Sequence, residues 1–327
     1  MNIKRNINPK EICDQIKKGN ITALSKAITL SESNIGSDQE LANKILAKLK
    51  TKNNDSIRIG ITGVPGAGKS TFIESFGKHI TNLGLKLAVL TIDPSSSVTK
   101  GSILGDKTRM ETLSANKNVF IRPSPASNFQ GGVGKNTRES IFLCESAGYD
   151  IILIETVGVG QNEISVAEMV DFFLLLKISG SGDELQGIKR GIIEMSDLIA
   201  INKCDGNNVK DSIKAKNEFK LALQLFPKKK SNWKPQVLTC SSLTGEGLAE
   251  IWECITNYVN LTKKNNYFYE NRINQNKSWL LQIIDYSLRK SFFNRKSIKI
   301  KLNNLIKKIE EQKISIFEAS RKILSEI

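Results

Sequence analysis

The sequence predicts an α/β protein: a mostly parallel β-sheet covered by helices on both faces, with helical extensions at its two ends. Three observations carry the prediction. From Ser56 onward, short β-rich runs alternate with helical stretches for nearly two hundred residues, the rhythm of repeated strand–helix–strand units. Several of these runs, among them Ile151-Ile-Leu-Ile154 and Phe172-Phe-Leu-Leu-Leu176, are apolar at every position, as a strand is when both its faces are covered. The segments before Ser56 and after Asn260 lack such runs and carry helical spacing instead. The expected division is therefore a helical segment over 1–55, a central domain over 56–260 and a helical extension over 261–327.

At the N-terminal end, Asn8-Pro9-Lys10-Glu11 reads as an N-cap followed by proline at the first helical position, with Gly19 closing that helix. A second helix starts near Thr22 with Leu24, Ala27 and Ile28 on one face. A third starts at Ser37-Asp-Gln-Glu40, a capping box ahead of Leu41, Ile45 and Leu49. Seven strands are expected, at Ile57–Thr62, Leu87–Ile92, Val119–Ile121, Ile151–Glu155, Phe172–Ile178, Leu198–Asn202 and Val237–Ser241. Thr137–Ala147, closed by Gly148, and Val209–Phe226 are helical patterns between them. Ser315-Ile-Phe-Glu318 is another capping box and opens the last helix, whose Ile316, Ala319 and Ile323 share a face.

Composition narrows the function classes. Hydrophobic residues make up 39% and charged residues 25% of the 327, the balance of a folded globular chain. No run reaches the about 18 apolar residues of a membrane span, and MNIKRNINPKEIC carries no apolar signal region, so neither membrane insertion nor secretion is expected. Five scattered cysteines without a C-x-x-C pair argue against a disulfide framework and a cysteine metal site, and they fit a cytoplasmic setting. A single histidine, His79, rules out clustered histidine ligands. The net charge is +15, and 15 Lys+Arg against 6 Asp+Glu fall between Leu261 and Ile327. No basic tract interleaved with aromatics accompanies that excess, so it reads as a solvated or partner-facing surface rather than a nucleic-acid site.

The chemistry starts at Gly63-Val64-Pro65-Gly66-Ala67-Gly68-Lys69-Ser70-Thr71, a complete G-x-x-x-x-G-K-[ST] between a predicted strand and a predicted helix. The glycines let consecutive N–H groups point inward at phosphate oxygens, and the helix N-terminus adds partial positive charge. Lys69 neutralises the β/γ-phosphates and the Ser70 hydroxyl ligates Mg2+. Together with the strand–helix alternation this predicts a P-loop NTPase.

The base is read further on. Leu198-Ile-Ala-Ile-Asn202-Lys203-Cys204-Asp205 runs an apolar strand into N-K-x-D, about 130 residues after the phosphate loop. Guanine presents N1–H and its exocyclic amine side by side, and one carboxylate, Asp205, accepts both. Adenine would leave that carboxylate unpaired. Asn202 braces the loop and the base edge, the Lys203 stem lies against the ring, and backbone amides of Ser241, Ser242 and Leu243 reach the guanine oxygen. GTP and GDP are the expected ligands. In Asp150-Ile-Ile-Leu-Ile-Glu155-Thr156-Val157-Gly158 the Gly158 N–H is placed to meet the γ-phosphate and Glu155 to approach Mg2+. Asp93, closing the second strand ahead of Pro94, is placed for a metal-bound or attacking water.

The chain then resembles a known family. ExxG in place of DxxG, with DPSSS after the second strand, is similar to metallochaperone-type GTPases of the SIMIBI class. TIDPSSSVTKGSILGDKTRM (91–110), FIRPSP (120–125), ETVGVGQNE (155–163) and GDELQGIKRG (182–191) look like the methylmalonyl-CoA mutase-associated GTPases of the MeaB/ArgK type. The likeness runs from about Ala23 to the C-terminal helices. It implies a GTP-hydrolysing chaperone of a cobalamin-dependent acyl-CoA mutase, gating adenosylcobalamin delivery and reactivation, and a homodimer formed through helical extensions. By position it carries Asp93 and Asp106 into a first mobile loop near Mg2+ and the attacking water, Glu155 and Gly158 into a second, and Lys189 into a third that communicates with the mutase. This chain departs from the family at Ser179-Gly-Ser181-Gly-Asp183, where relatives read P-G-A-G-D, and at Ser242, where alanine is usual. The cobalamin signature D-x-H-x-x-G is absent, since Gly77 precedes His79 by two and Asn82 follows it by three, so the mutase is expected to be a separate chain. The alternatives are a metal-insertion (nickel-type) GTPase and a kinase or ATPase linked to basic amino-acid transport.

Overall fold

The computed structural model describes residues 8–50, 55–93, 110–125, 132–156, 162–180 and 190–326. They fall into two compact units divided between Ile273 and Asn274. The first holds a seven-stranded, all-parallel sheet: β1 (Ile57–Gly63), β2 (Leu87–Asp93), β3 (Val119–Pro125), β4 (Ile151–Thr156), β5 (Phe172–Ile178), β6 (Leu198–Asn202) and β7 (Gln236–Thr239), in the order β3-β2-β4-β1-β5-β6-β7. All seven strands expected from the sequence form.

Successive side chains of a strand face opposite ways, and the core divides accordingly. Ala88, Leu90, Ile152, Ile154, Phe173, Leu175, Ile199 and Ile201 face one cluster, and Ile59, Ile61, Val89, Leu153, Leu174, Leu176 and Ala200 face the other. On the first face lie α1 (Pro9–Lys17), α2 (Ile21–Glu32) and α3 (Gly36–Lys48). Asn8 and Asn20 cap α1 and α2, accepting from the N–H of Lys10 (3.0 Å) and Ala23 (2.9 Å). The third helix corrects the expectation: it begins at Gly36, and Ser37 is not its cap. Ser33 Oγ instead donates to Asp38 at 2.8 Å, and Gln39 Nε2 donates to the Ser33 carbonyl at 3.0 Å, closing the turn from outside the helix.

The opposite face is covered by α4 (Lys69–Asn82), through Phe72, Ile73, Phe76 and Ile80. A short α5 (Glu111–Ser114) follows it in the chain. The chain continues through α6 (Gly132–Ala147), α7 (Asn162–Ala167), α8 (Arg190–Met195), α9 (Val209–Leu223) and α10 (Leu248–Lys264). The helix expected over 137–147 begins five residues earlier, and α9 stops three residues short of Phe226.

At the amino ends of the strands, a charge network closes the bottom of this unit. Glu145 on α6 accepts from Arg58 Nε (2.8 Å) and Nη2 (3.0 Å) and from the Ser56 hydroxyl (2.7 Å). Arg272, early in α11 (Tyr267–Asn294), grips Asp171 through Nε (2.8 Å) and Nη2 (2.6 Å) and packs over the Phe268 ring, 4.4 Å from its centroid. The second unit comprises the rest of α11, α12 (Lys296–Glu310) and α13 (Ile316–Leu324), with a small core of Ile298, Leu305, Ala319 and Ile323. Ser315 caps α13, accepting from the Glu318 N–H at 3.1 Å, but Ile316 is exposed rather than sharing the buried face. Among the described residues no helix is long and apolar enough to cross a membrane.

Candidate functional site

In an open parallel sheet, ligands bind outside the carboxyl ends of the strands, and there the predicted residues gather. β1 ends at Gly63, the chain turns through Val64–Gly68, and α4 starts at Lys69. Gly66 and Gly68 hold φ of +81° and +84°, a left-handed geometry that side-chain-bearing residues disfavour. The turn tightens through the Ala67 N–H donating to the Val64 carbonyl (3.1 Å). Lys69 Nζ folds back over it, donating to the carbonyls of Gly63 (2.8 Å) and Val64 (3.4 Å). Burial pulls the Lys69 ammonium below its ordinary value, and the negative charges of Glu155 and Glu163 push back. The Lys69 ammonium and the N-terminus of α4 thus lie together at the carboxyl end of β1, an arrangement whose chemistry suits an anion.

The second half lies on β6. Asn202, its last residue, is buried, and Lys203 turns the chain at φ +58° so that Asp205 emerges at the edge. Asn202 Nδ2 donates to the Ala67 carbonyl at 2.9 Å, and its Oδ1 accepts from the Ser242 N–H (3.1 Å), the Ser242 hydroxyl (2.8 Å) and the Cys240 thiol (3.7 Å). Ser241 Oγ donates to Asp205, and the Cys204 N–H donates to the Cys240 carbonyl at 3.0 Å. The contact with the phosphate loop is close: a Cβ on Gly68 would stand 2.8 Å from Asn202 Nδ2 and 3.9 Å from Lys203 Cε. The loop after β7 thus holds Asn202, the last residue of β6, and Asp205 just beyond it, and β6 touches the phosphate loop directly.

On the other side of β1, Glu155 on β4 is buried and registers with Ile61 and with Thr91 of β2. Thr156 Oγ1 donates to Thr62 Oγ1 at 2.9 Å, tying the ends of β4 and β1 together. Asp93 closes β2, as expected. Asp106, Gly158 and Lys189 lie outside the described residues.

Two features were missed in the sequence, one at the site and one behind it on α4. Glu163, at the start of α7, is 2% exposed and its charge acts on Lys69; its only signal was membership of the ETVGVGQNE segment. Glu74 on α4 accepts from the Leu113 N–H (3.1 Å) and from the Thr112 hydroxyl, a link between helices that no local pattern announces. The amides expected to serve the base are also partly used elsewhere. The Ser241 N–H donates to the Glu246 carbonyl (2.9 Å) and the Ser242 N–H to Asn202.

A phosphate-binding turn opening a helix, joined through Asn202 to a strand ending in N-K-x-D on an all-parallel sheet, defines a P-loop GTPase: the protein binds GTP and GDP and is a GTP hydrolase. Residues 24–297 match the family described as methylmalonyl-CoA mutase-associated GTPase MeaB, and the chain belongs to that family. A probable GTPase of Mycobacterium tuberculosis is 41% identical over 309 residues, 94% of this chain and 92% of its own. GTPase ArgK of Escherichia coli is 45% identical over 266 residues, 81% and 80% of the two chains. The mitochondrial methylmalonic aciduria type A homolog of Mus musculus is 43% identical over 302 residues, 89% and 73%. The crystal structure of an LAO/AO transport system kinase matches with a TM-score of 0.75 at 33% identity, over 98% of each chain.

Proposed function

We propose that the protein is a GTP-hydrolysing chaperone of a cobalamin-dependent acyl-CoA mutase of the methylmalonyl-CoA mutase type, gating adenosylcobalamin loading and reactivation. Family membership over residues 24–297 supports the client. The observation that carries the guanine half is the seating of Asn202 on the phosphate loop at Ala67, which supports one ligand spanning the strand end and the phosphate loop. In this reading the turn from Gly63 to Thr71, with Lys69, holds the phosphates. Asn202, Lys203 and Asp205, with the Ser241–Leu243 loop, hold the guanine, and Gly158 and Lys189 serve the γ-phosphate and the coupling to the client.

The donor set fits a hard divalent cation. Ser70 offers a hydroxyl at the helix start and Glu155 a buried carboxylate on the neighbouring strand, oxygen ligands of the kind Mg2+ takes. We assign Mg2+ to Ser70 and Glu155 with Asp93 and Asp106; bound there, it would neutralise charge developing on the phosphates. The same reading makes the protein a cytoplasmic homodimer. In support, Leu280, Leu281, Ile284 and Leu288 form an exposed apolar row along α11, at spacings that share one helical face.

The test is co-purification of the mutase large subunit with this protein, in GDP and in a non-hydrolysable GTP analogue. Association that depends on the nucleotide is expected; none under either condition removes the chaperone assignment. Phosphoryl transfer from GTP or ATP to a protein acceptor would instead favour the transport-kinase reading.

A further inference from the structure

We infer that Ser75, on the helix that begins at the phosphate loop, is a positioning residue for guanine: its hydroxyl orients the loop after β7 that reads the base oxygen. This rests on the guanine assignment proposed for Asn202, Asp205 and the Ser241–Leu243 loop.

Ser75 lies on α4, six residues after Lys69. Its Oγ donates to the Ser242 carbonyl at 2.6 Å, across 167 residues of sequence. The bond closes a ring. Ser242 holds Asn202 through its N–H and hydroxyl, Asn202 holds the Ala67 carbonyl, and Ala67 leads through Gly68 back into α4, where the Phe72 N–H donates to the Gly68 carbonyl at 2.8 Å.

Peptide planarity gives the bond its consequence. A trans peptide unit is rigid, and its C=O and the following N–H point opposite ways. Fixing the Ser242 carbonyl toward Ser75 therefore fixes the direction of the Leu243 N–H. The neighbouring amides are engaged within the protein: Ser241 with Glu246, Ser242 with Asn202, and Thr244 with the Ser241 hydroxyl at 3.2 Å. The Leu243 N–H has no partner among the described residues, and the residue is 80% exposed. It is the loop donor left for a carbonyl oxygen of a bound base. Without the Ser75 hydroxyl the Ser242–Leu243 peptide is free to turn, and the donor loses its aim.

The experiment compares full-length wild type with Ser75→Ala, and with the shape-matched pair Ser75→Thr and Ser75→Val, by equilibrium titration with GTP and with 6-thio-GTP. In 6-thio-GTP a poorly accepting sulfur replaces the base oxygen. Thr81→Ala is the control, since it removes another α4 hydroxyl, one that donates to the Lys78 carbonyl within the same helix. Loss of one aimed hydrogen bond predicts that Ser75→Ala and Ser75→Val weaken GTP by about five- to tenfold. Ser75→Thr stays near wild type, and 6-thio-GTP binding changes by less than about twofold. In steady state the loss falls mainly on KM rather than kcat. Equal weakening of both nucleotides, or a Ser75→Val effect no larger than that of Thr81→Ala, overturns the inference. Asp205→Asn, assayed alongside with GTP and XTP, separates the two levels. A switch toward XTP with a silent Ser75→Val defeats only the role of Ser75, whereas unchanged GTP preference in Asp205→Asn defeats the guanine assignment beneath it.

Discussion

Gly68→Ala probes the joint between the two halves of the site, with Gly66→Ala as its partner. Both glycines hold a left-handed backbone, at φ +84° and +81°, so alanine at either costs about 1–2 kcal/mol of strain. The surroundings differ. A Cβ at Gly66 meets nothing within 4 Å, whereas one at Gly68 falls 2.8 Å from Asn202 Nδ2. Asn202 cannot swing aside cheaply, because Ser242 and Cys240 hold its Oδ1 and Nδ2 itself donates to Ala67. Displacing it forfeits two or three hydrogen bonds of about 1 kcal/mol each. If the empty loop relaxes its strain and must be bent back to receive phosphates, these energies appear in affinity. Gly66→Ala then weakens GDP by roughly 5- to 30-fold and Gly68→Ala, at about 3–5 kcal/mol, by roughly 150- to 5000-fold. Titration with a fluorescent GDP, alongside a melting curve to show that both variants fold, reads the difference. Equal affinities for the two folded variants would refute the claim that Asn202 couples the base strand to the phosphate loop.

Three further outcomes are expected. Asp205→Asn relaxes the preference from guanine toward xanthine, whose exocyclic oxygen calls for a donor, and competition between GTP and XTP measures it. Because burial lowers the Lys69 value in the free protein and the phosphates of a bound nucleotide restore the ammonium, the complex holds more protons than its parts in that range. GDP affinity is therefore full below the free-protein value and falls as pH rises through it, starting below the ordinary lysine range of about 10.4. Calorimetry in buffers of different ionisation enthalpy should find proton uptake there, and proton release would contradict the account. Arg272→Ala leaves Asp171 buried with its guanidinium partner gone. Breaking such a pair costs about 3–5 kcal/mol, read as a fall in Tm on the order of 10 °C, while nucleotide affinity, set at the other end of the sheet, stays near wild type.

Legibility followed the range of the interactions. The central strands β4, β5 and β6 could be read because each is a local run of apolar residues long enough to bury two faces, and both nucleotide motifs because their chemistry is written in consecutive residues. Boundaries were less legible. Ser37 satisfies a capping pattern, yet the helix starts at Gly36, because Ser33, ahead of the helix, bonds Asp38 and Gln39 in its first turn. Ile316 fits the apolar face of the last helix by spacing alone, but it sits in the first turn and stays exposed.

From the residues alone followed the fold class, the ligand and the family, since phosphate and guanine recognition need particular side chains at short, fixed spacings. Folding in three dimensions decided who touches whom at long separation. Asn202 meets Ala67 across 135 residues, Ser75 meets Ser242 across 167, and Arg272 meets Asp171 across 101. A hydrogen bond depends on ångström-scale placement, and that placement comes from how strands pair and helices pack, which no short stretch of sequence encodes.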